Sequence, residues 1–205
     1  MYARLIIATL VVPFLASCAT VGKNFSSAGL SHLRLQSTTE SDVLDLFGKP
    51  SKKQIRVDEG TEFQLLFYTY AQGTANSGKS RRLAVELVRG VANAYLFHSA
   101  LGKDKTEFDL GVRSRLVAGT SHKSELIDAL GAPHGEVKYP SILLKNEFGA
   151  LPEIVPPTNA ATALIYNYLE VRRKQRLLQT HLKLLVVFMS DADIIVEVRS
   201  FDGVM

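Results

Sequence analysis

The chain has 205 residues, 46% hydrophobic and 21% charged, with a single cysteine and a formal charge of +4. That apolar fraction excludes a disordered chain, and one cysteine excludes both a disulfide scaffold and a cysteine zinc cluster. No apolar run reaches the roughly 18 residues of a spanning helix, and the mild positive charge is too diffuse to indicate nucleic acid.

The chain opens with one positive charge in Met1–Arg4, then an apolar stretch from Leu5 to Phe14, then Leu15-Ala16-Ser17-Cys18. The stretch has signal-peptide length rather than spanning length. A leucine, two small residues and a cysteine form the sequence that a lipoprotein signal peptidase reads, so residues 1–17 are expected to be a signal peptide and Cys18 the acylated residue. Acylation would cap that thiol and hold the protein to a membrane. Residue 19 is Ala rather than Asp, which by the enterobacterial sorting rule favours the outer membrane. Residues 18–29, small and polar with Gly22, Ser26, Ser27 and Gly29, are expected to form a flexible tether.

Beyond the tether the chain repeats itself. At an offset of 83, Leu33, Asp45, Gly48 and Pro50 recur as Leu116, Asp128, Gly131 and Pro133. In each copy a Ser/Thr cluster offers an N-cap, with Thr39 and Asp42 at capping-box spacing. Val43, Leu46 and Phe47 share one helical face, as do Leu126, Ala129 and Leu130. Gly48 and Gly131 suit a left-handed helix end, with a proline two residues on. Short first helices are expected near Leu30–Leu35 and Asp109–Val117.

Strands come after each helix. Phe63–Tyr70 and Ala163–Leu169 each hold a Tyr-x-Tyr pair, and two apolar runs then form a hairpin in each copy. The first hairpin is Leu83–Val88 with Val91–His98, and the second is Leu182–Met189 with Ile194–Phe201. The proline-rich stretch carrying Pro140, Pro152, Pro156 and Pro157 reads as a long loop in the second copy. The expected fold is α+β: two tandem units, residues 30–108 and 109–205, each of two helices on a three-stranded antiparallel sheet.

The Thr39–Pro50 run, Thr-x-x-Asp-Val-x-x-x-Phe-Gly-x-Pro, resembles the signature of the SmpA/OmlA (BamE-like) outer-membrane lipoprotein family. The lipobox, the capped helix ending Gly-x-Pro, the aromatic strand and the hairpin are similar to that family. Two such units in one chain also resemble the tandem layout of β-lactamase inhibitor proteins. His122 stands where the family's capping Thr would be, so Ser121 is expected to cap the second helix, and the family's first-strand Trp is absent. The resemblance implies a non-enzymatic, periplasm-facing protein-binding module that supports outer-membrane assembly or envelope integrity. Its partners would be envelope proteins, with the β-barrel assembly machinery a candidate; the alternative is an inhibitor or sequestering module that uses the tandem sheet.

A third reading comes from Gly73–Ser80, which matches the phosphate-cradling pattern Gly-x-x-x-x-Gly-Lys-Ser after an apolar strand. A nucleotide hydrolase would need a helix next, whose N-terminus faces the phosphates. The next segment, Leu83–His98, is instead rich in strand formers, and an envelope lipoprotein meets no free ATP, so no nucleotide or other cofactor is expected. The five histidines show no metal spacing. The charge run Arg172-Arg173-Lys174-Gln175-Arg176 is the densest in the chain, and Arg172, Arg173, Lys174 and Arg176 are candidate contacts for anionic headgroups.

If helices cover one face of a small antiparallel sheet, the other is open to a partner. By parity, Phe63, Leu65 and Phe67 suit the helix-covered side, and Tyr68 and Tyr70, with Tyr166 and Tyr168, the partner-facing side. The alternative for the four tyrosines is a seam between the two units.

Overall fold

The computed structural model describes residues 19–74, 77–104, 107–144, 154–174 and 177–204. The first half runs β1 (Ala19–Gly22), a 3-10 turn (Ser27–His32), α1 (Glu40–Phe47), β2 (Lys52–Asp58), β3 (Thr61–Thr74), β4 (Ser77–Val88) and β5 (Val91–Ser99). The second runs a 3-10 turn (Leu110–Arg115), α2 (Lys123–Leu130), β6 (Gly135–Lys138), β7 (Thr162–Lys174), β8 (Leu177–Met189) and β9 (Ile195–Val204). The α+β class is as expected, but the chain forms one open antiparallel sheet of nine strands and not two separate three-stranded sheets. Its order is β1-β3-β4-β5-β6-β7-β8-β9, with β2 beside β1 on the outer edge of β3. The expected first helices are 3-10 turns.

Sequence chemistry sets the helix limits. Thr39 Oγ1 accepts from Asp42 N at 3.3 Å while Asp42 Oδ2 accepts from Thr39 N at 2.8 Å, closing the capping box. Gly48 and Gly131 end the two helices at φ 79° and 76°, where a Cβ would be strained. The cap of α2 differs from expectation: its N-cap is His122, whose N–H donates to Glu125 Oε1 at 3.2 Å. Ser121 is buried one residue earlier and its Oγ accepts from Val117 N, as Thr38 Oγ1 accepts from Arg34 N in the first half.

The sheet is apolar on both faces. On one side α1, Phe25 and Leu33 cover Leu66, Tyr68, Leu83, Val85 and Leu87, and α2, Phe108 and Val112 cover Leu164, Tyr166, Leu185 and Val187. On the other, Phe63, Leu65, Ala84, Leu96, Ile165, Leu184 and Phe188 form one cluster with Ile142, Leu143 and Leu144. Those last three come from the start of the proline-rich loop, which therefore packs on the sheet. Burying each of them stabilises the fold by roughly 1.5–3 kcal/mol.

This reverses the parity expected for β3. Phe63 and Leu65 lie on the face away from the helices, and the tyrosines lie under the helices. Tyr68, Tyr70, Tyr166 and Tyr168 retain 3, 9, 0 and 4% exposure. The physical reason is aromatic packing: Tyr68 sits 5.8 Å from Phe25 and 5.7 Å from Phe47, centroid to centroid, on the face that α1 covers.

Candidate functional site

Cys18 lies outside the described residues. The stretch after it is no loose tether, because β1 pairs with β3 from Ala19↔Gly73 to Gly22↔Tyr70. Gly22 has φ 77°, and a Cβ there would overlap the Thr69 carbonyl oxygen. Phe25 is buried and Arg81 reaches across its ring, 5.6 Å from its centroid. Arg81 also donates to the Phe25 carbonyl and, at 3.1 Å, to Asn24 Oδ1.

The buried Arg81 is neutralised by Asp104, which accepts from its Nε at 2.7 Å. Ser27 Oγ and Ser99 Oγ donate to the same carboxylate at 2.6 and 3.0 Å. Burial works against the Asp104 charge, yet these hydrogen bonds and the guanidinium hold its pKa below the ordinary carboxylate value. The chain next to Cys18 is therefore locked to β4 and to the turn after β5. Nothing in the sequence pairs Arg81 with Asp104, which stand 23 positions apart.

Strand directions bring several basic positions to this end. β1 and β4 run opposite to β3, and β5 and β7 run with it, so Ala19, the β3–β4 hairpin and the β7–β8 hairpin share one end of the sheet. Arg172, Arg173 and Lys174 occupy the last positions of β7, opposite Gln179, Leu178 and Leu177, and Arg176 lies outside the described residues. Lys79 and Arg82 are exposed on β4. Thr74↔Ser77 and Gly73↔Gly78 make the phosphate-loop match a β-hairpin that continues as a strand. No helix N-terminus comes after it, so the geometry of a nucleotide cradle is not formed there.

The four tyrosines act as packing residues, and three of their hydroxyls find hydrogen-bond acceptors. Tyr70 Oη donates to Gln72 Oε1 at 2.6 Å, Tyr166 Oη to the Gly131 carbonyl at 2.9 Å and Tyr168 Oη to Glu170 Oε2 at 3.2 Å. Tyr68 Oη is buried without a hydrogen-bond partner among the described residues. Burial, with the nearby Glu40 charge second, pushes the Tyr68 hydroxyl up to about 12. A partner could not reach these rings without displacing α1 or α2.

The face expected to stay open is held closed by polar groups that sequence reasoning missed. Glu86 on β4 is fully buried, and its carboxylate accepts from Asn93 Nδ2 at 2.8 Å, Ser141 Oγ at 3.1 Å and Ile142 N at 3.0 Å. Asn93 also donates to the carbonyls of Lys138 and Pro140, and its Oδ1 accepts from Gln36 Nε2 at 2.9 Å. Burial raises the Glu86 pKa against the lowering effect of these hydrogen bonds. The carboxylate clasps the start of the proline-rich loop to the sheet. Beside it a cavity of about 540 Å³ lies between Phe63, Tyr139, Leu144, Ile154 and Pro157, with Asp58 and Glu59 at its rim.

Where the short β6 begins, Asn167 bridges β5 and the loop before β6. Its Oδ1 is 3.0 Å from His98 Nδ1, its Nδ2 donates to the Phe97 carbonyl at 2.8 Å, and its N–H donates to His134 Nδ1 at 3.0 Å. Burial lowers the pKa of both histidines, so each is kept neutral at ordinary pH. Among the described residues no three His, Cys, Asp or Glu side chains stand close enough to hold a metal ion.

No family model and no curated protein matches this chain. A solved structure of a proposed beta-lactamase inhibitor protein from Streptococcus mutans is similar to it at 8% identity with a TM-score of 0.45. The likeness covers 87% of this chain and 98% of that one. A likeness of that order carries nothing about what this chain binds, and the SmpA/OmlA resemblance rests on the Thr39–Pro50 run and its surroundings.

Proposed function

We propose that this chain is a lipid-anchored, periplasm-facing envelope protein that acts by binding other proteins and not by catalysis. In this reading Cys18 carries the acyl chains, the outer membrane is the site of anchoring, and the end of the sheet that begins at Ala19 faces the bilayer. The observation that supports it is the shared end: the strand that starts one residue after Cys18 begins beside the β3–β4 hairpin, at the end where Arg172, Arg173 and Lys174 close β7. Basic groups near an anionic surface contribute on the order of 1 kcal/mol each, and the anchor would hold them at that distance. The recurrence of turn, helix and four strands is read as a duplicated SmpA/OmlA-like unit fused through one sheet.

Radioactive palmitate labelling of cells tests the anchor: wild-type chain should take up label and Cys18→Ser should not. Label retained by Cys18→Ser would sink the lipoprotein reading. A pull-down of the anchored protein in mild detergent tests the binding role. Recovery of barrel-assembly components supports envelope assembly, whereas recovery of one soluble enzyme supports an inhibitor.

A further inference from the structure

Eight large apolar side chains stand well exposed among the described residues, and five lie on the two free edges of the sheet. Val21 on β1 and Ile55 and Val57 on β2 are 60, 57 and 69% exposed; Phe201 and Val204 on β9 are 37 and 58% exposed. β2 is not buried at any of its seven positions. Unpaired edges that carry apolar side chains are templates for strand addition, and natural proteins usually guard them.

The protein already contains one junction between edges of these two kinds. β5 pairs with β6 through Ala94↔Val137, Tyr95↔Glu136 and Leu96↔Gly135. β2 corresponds to β6: Lys52 comes four residues after Gly48 and pairs with Phe67, as Gly135 comes after Gly131 and pairs with Ile165. Even an ion pair to the preceding helix recurs with its charges exchanged, Lys53 to Glu40 and Glu136 to Lys123. β9 corresponds to β5: Val91 bridges the N-cap Thr39 and Ile194 the N-cap His122. Both strands then carry one extra residue, Asn93 against Glu86/Leu87 and Val196 against Phe188/Met189. The edge of β6 is thus filled by β5, while among the described residues no strand pairs with the outer edges of β2 and β9.

We propose that the β9 edge of one copy pairs antiparallel with the β2 edge of a second copy, repeating the β5–β6 junction. In that register Glu197 opposes Gln54 of the second copy, Val198 opposes Lys53 and Arg199 opposes Lys52. The ends of β9 then come level with the exposed apolar residues of the neighbour, Val196 with Ile55 and Val204 with the β1 segment that holds Val21. Charge favours the match. β2 carries Lys52, Lys53 and Arg56 against Asp58, and β9 carries Glu197 and Asp202 against Arg199. Arg199 is already held by Glu197 at 2.7 and 3.1 Å, which blunts its repulsion of Lys52.

The contact is heterologous, so it adds copies in a row rather than closing a dimer. Antiparallel pairing of β9 with β2 keeps every β3 pointing the same way. All copies therefore present the Ala19 end on one side, which suits a row lying along a single surface. The assembly does not depend on acylation.

Cysteine cross-linking of the full chain in cells tests this. Gln54→Cys combined with Glu197→Cys, oxidised with copper phenanthroline, should give a ladder of dimers and larger species. Each single variant, and the off-register pair Gln54→Cys with Phe201→Cys, should give at least tenfold less. Adding Ile55→Lys and Val57→Lys should reduce the ladder at least tenfold without moving the melting temperature, since both sites are exposed. The proposal is overturned if the in-register pair cross-links no more than the single variants. It is equally overturned if the off-register pair matches it, or if the lysine substitutions leave the ladder intact.

Discussion

Arg81 Nε donates to Asp104 Oδ2 at 2.7 Å with both side chains almost fully buried, and this pair joins β4 to the turn after β5. Through Phe25, Asn24 and Ser27 it also holds the chain just beyond the candidate acylation site. A lipid anchor at Cys18 would pull on this clamp and not on a loose leash, because Asn24, Phe25 and Ser27 are bonded into the folded core.

Asp104→Ala should therefore cost about 3–5 kcal/mol, because it strands a buried guanidinium. Urea unfolding checks the loss. Asp104 has a depressed folded pKa, so its contribution is present above the ordinary value of about 3.9 and is lost as pH falls through the folded one. In the variant that acid-side slope should be missing.

Glu86 has the opposite sign. Its folded pKa is raised by burial, so the folded state binds its proton more readily. Stability should fall as pH rises from about 4.3 through the raised value, and Glu86→Gln should remove that slope. Glu86→Ala leaves the Ser141 hydroxyl and the Ile142 amide without their acceptor, while Asn93 Nδ2 keeps the Lys138 and Pro140 carbonyls, and should cost about 1–3 kcal/mol. Hydrogen exchange at the Ile142 amide should speed up in both variants, and unchanged exchange would refute the clasp.

Tyr68→Ala and Tyr166→Ala should each destabilise by about 3–5 kcal/mol, as truncations of large aromatic core residues do. The conservative changes separate the two sites. Tyr68→Phe should be near neutral, since its hydroxyl has no partner among the described residues, whereas Tyr166→Phe loses the bond to Gly131 and about 1 kcal/mol. Melting curves of the four variants decide it.

Lys79→Ala should stay within about 0.5 kcal/mol of wild type, because Lys79 is an exposed residue on a hairpin. ATP binding by the purified protein, lost in Lys79→Ala, would contradict this and revive a nucleotide site.

Local signals were legible where their range is a few residues. Thr39, Asp42, Gly48 and Pro50 define α1 by capping and termination alone, and the offset of 83 exposes the second copy. Period-2 geometry sorts Tyr68 and Tyr70 from Phe63 and Leu65 correctly, yet it cannot say which set the helices cover when both are apolar. The tether failed for a similar reason: Ala19–Gly22 has no strand signal of its own, and the open edge of β3 supplies its hydrogen bonds.

The amino-acid order alone was enough for much of the inventory: a lipobox pattern, two short helices, six strands and the turns between them, each set by chemistry within one turn or one hairpin. That the halves share one sheet is a tertiary outcome, because the β5–β6 pairing depends on backbone edges that any residue can offer. The buried pairs are tertiary outcomes too. Arg81 with Asp104, and Glu86 with Ser141 and Ile142, are joined across 23 to 56 positions by burial, which makes an unpaired charge too costly to leave.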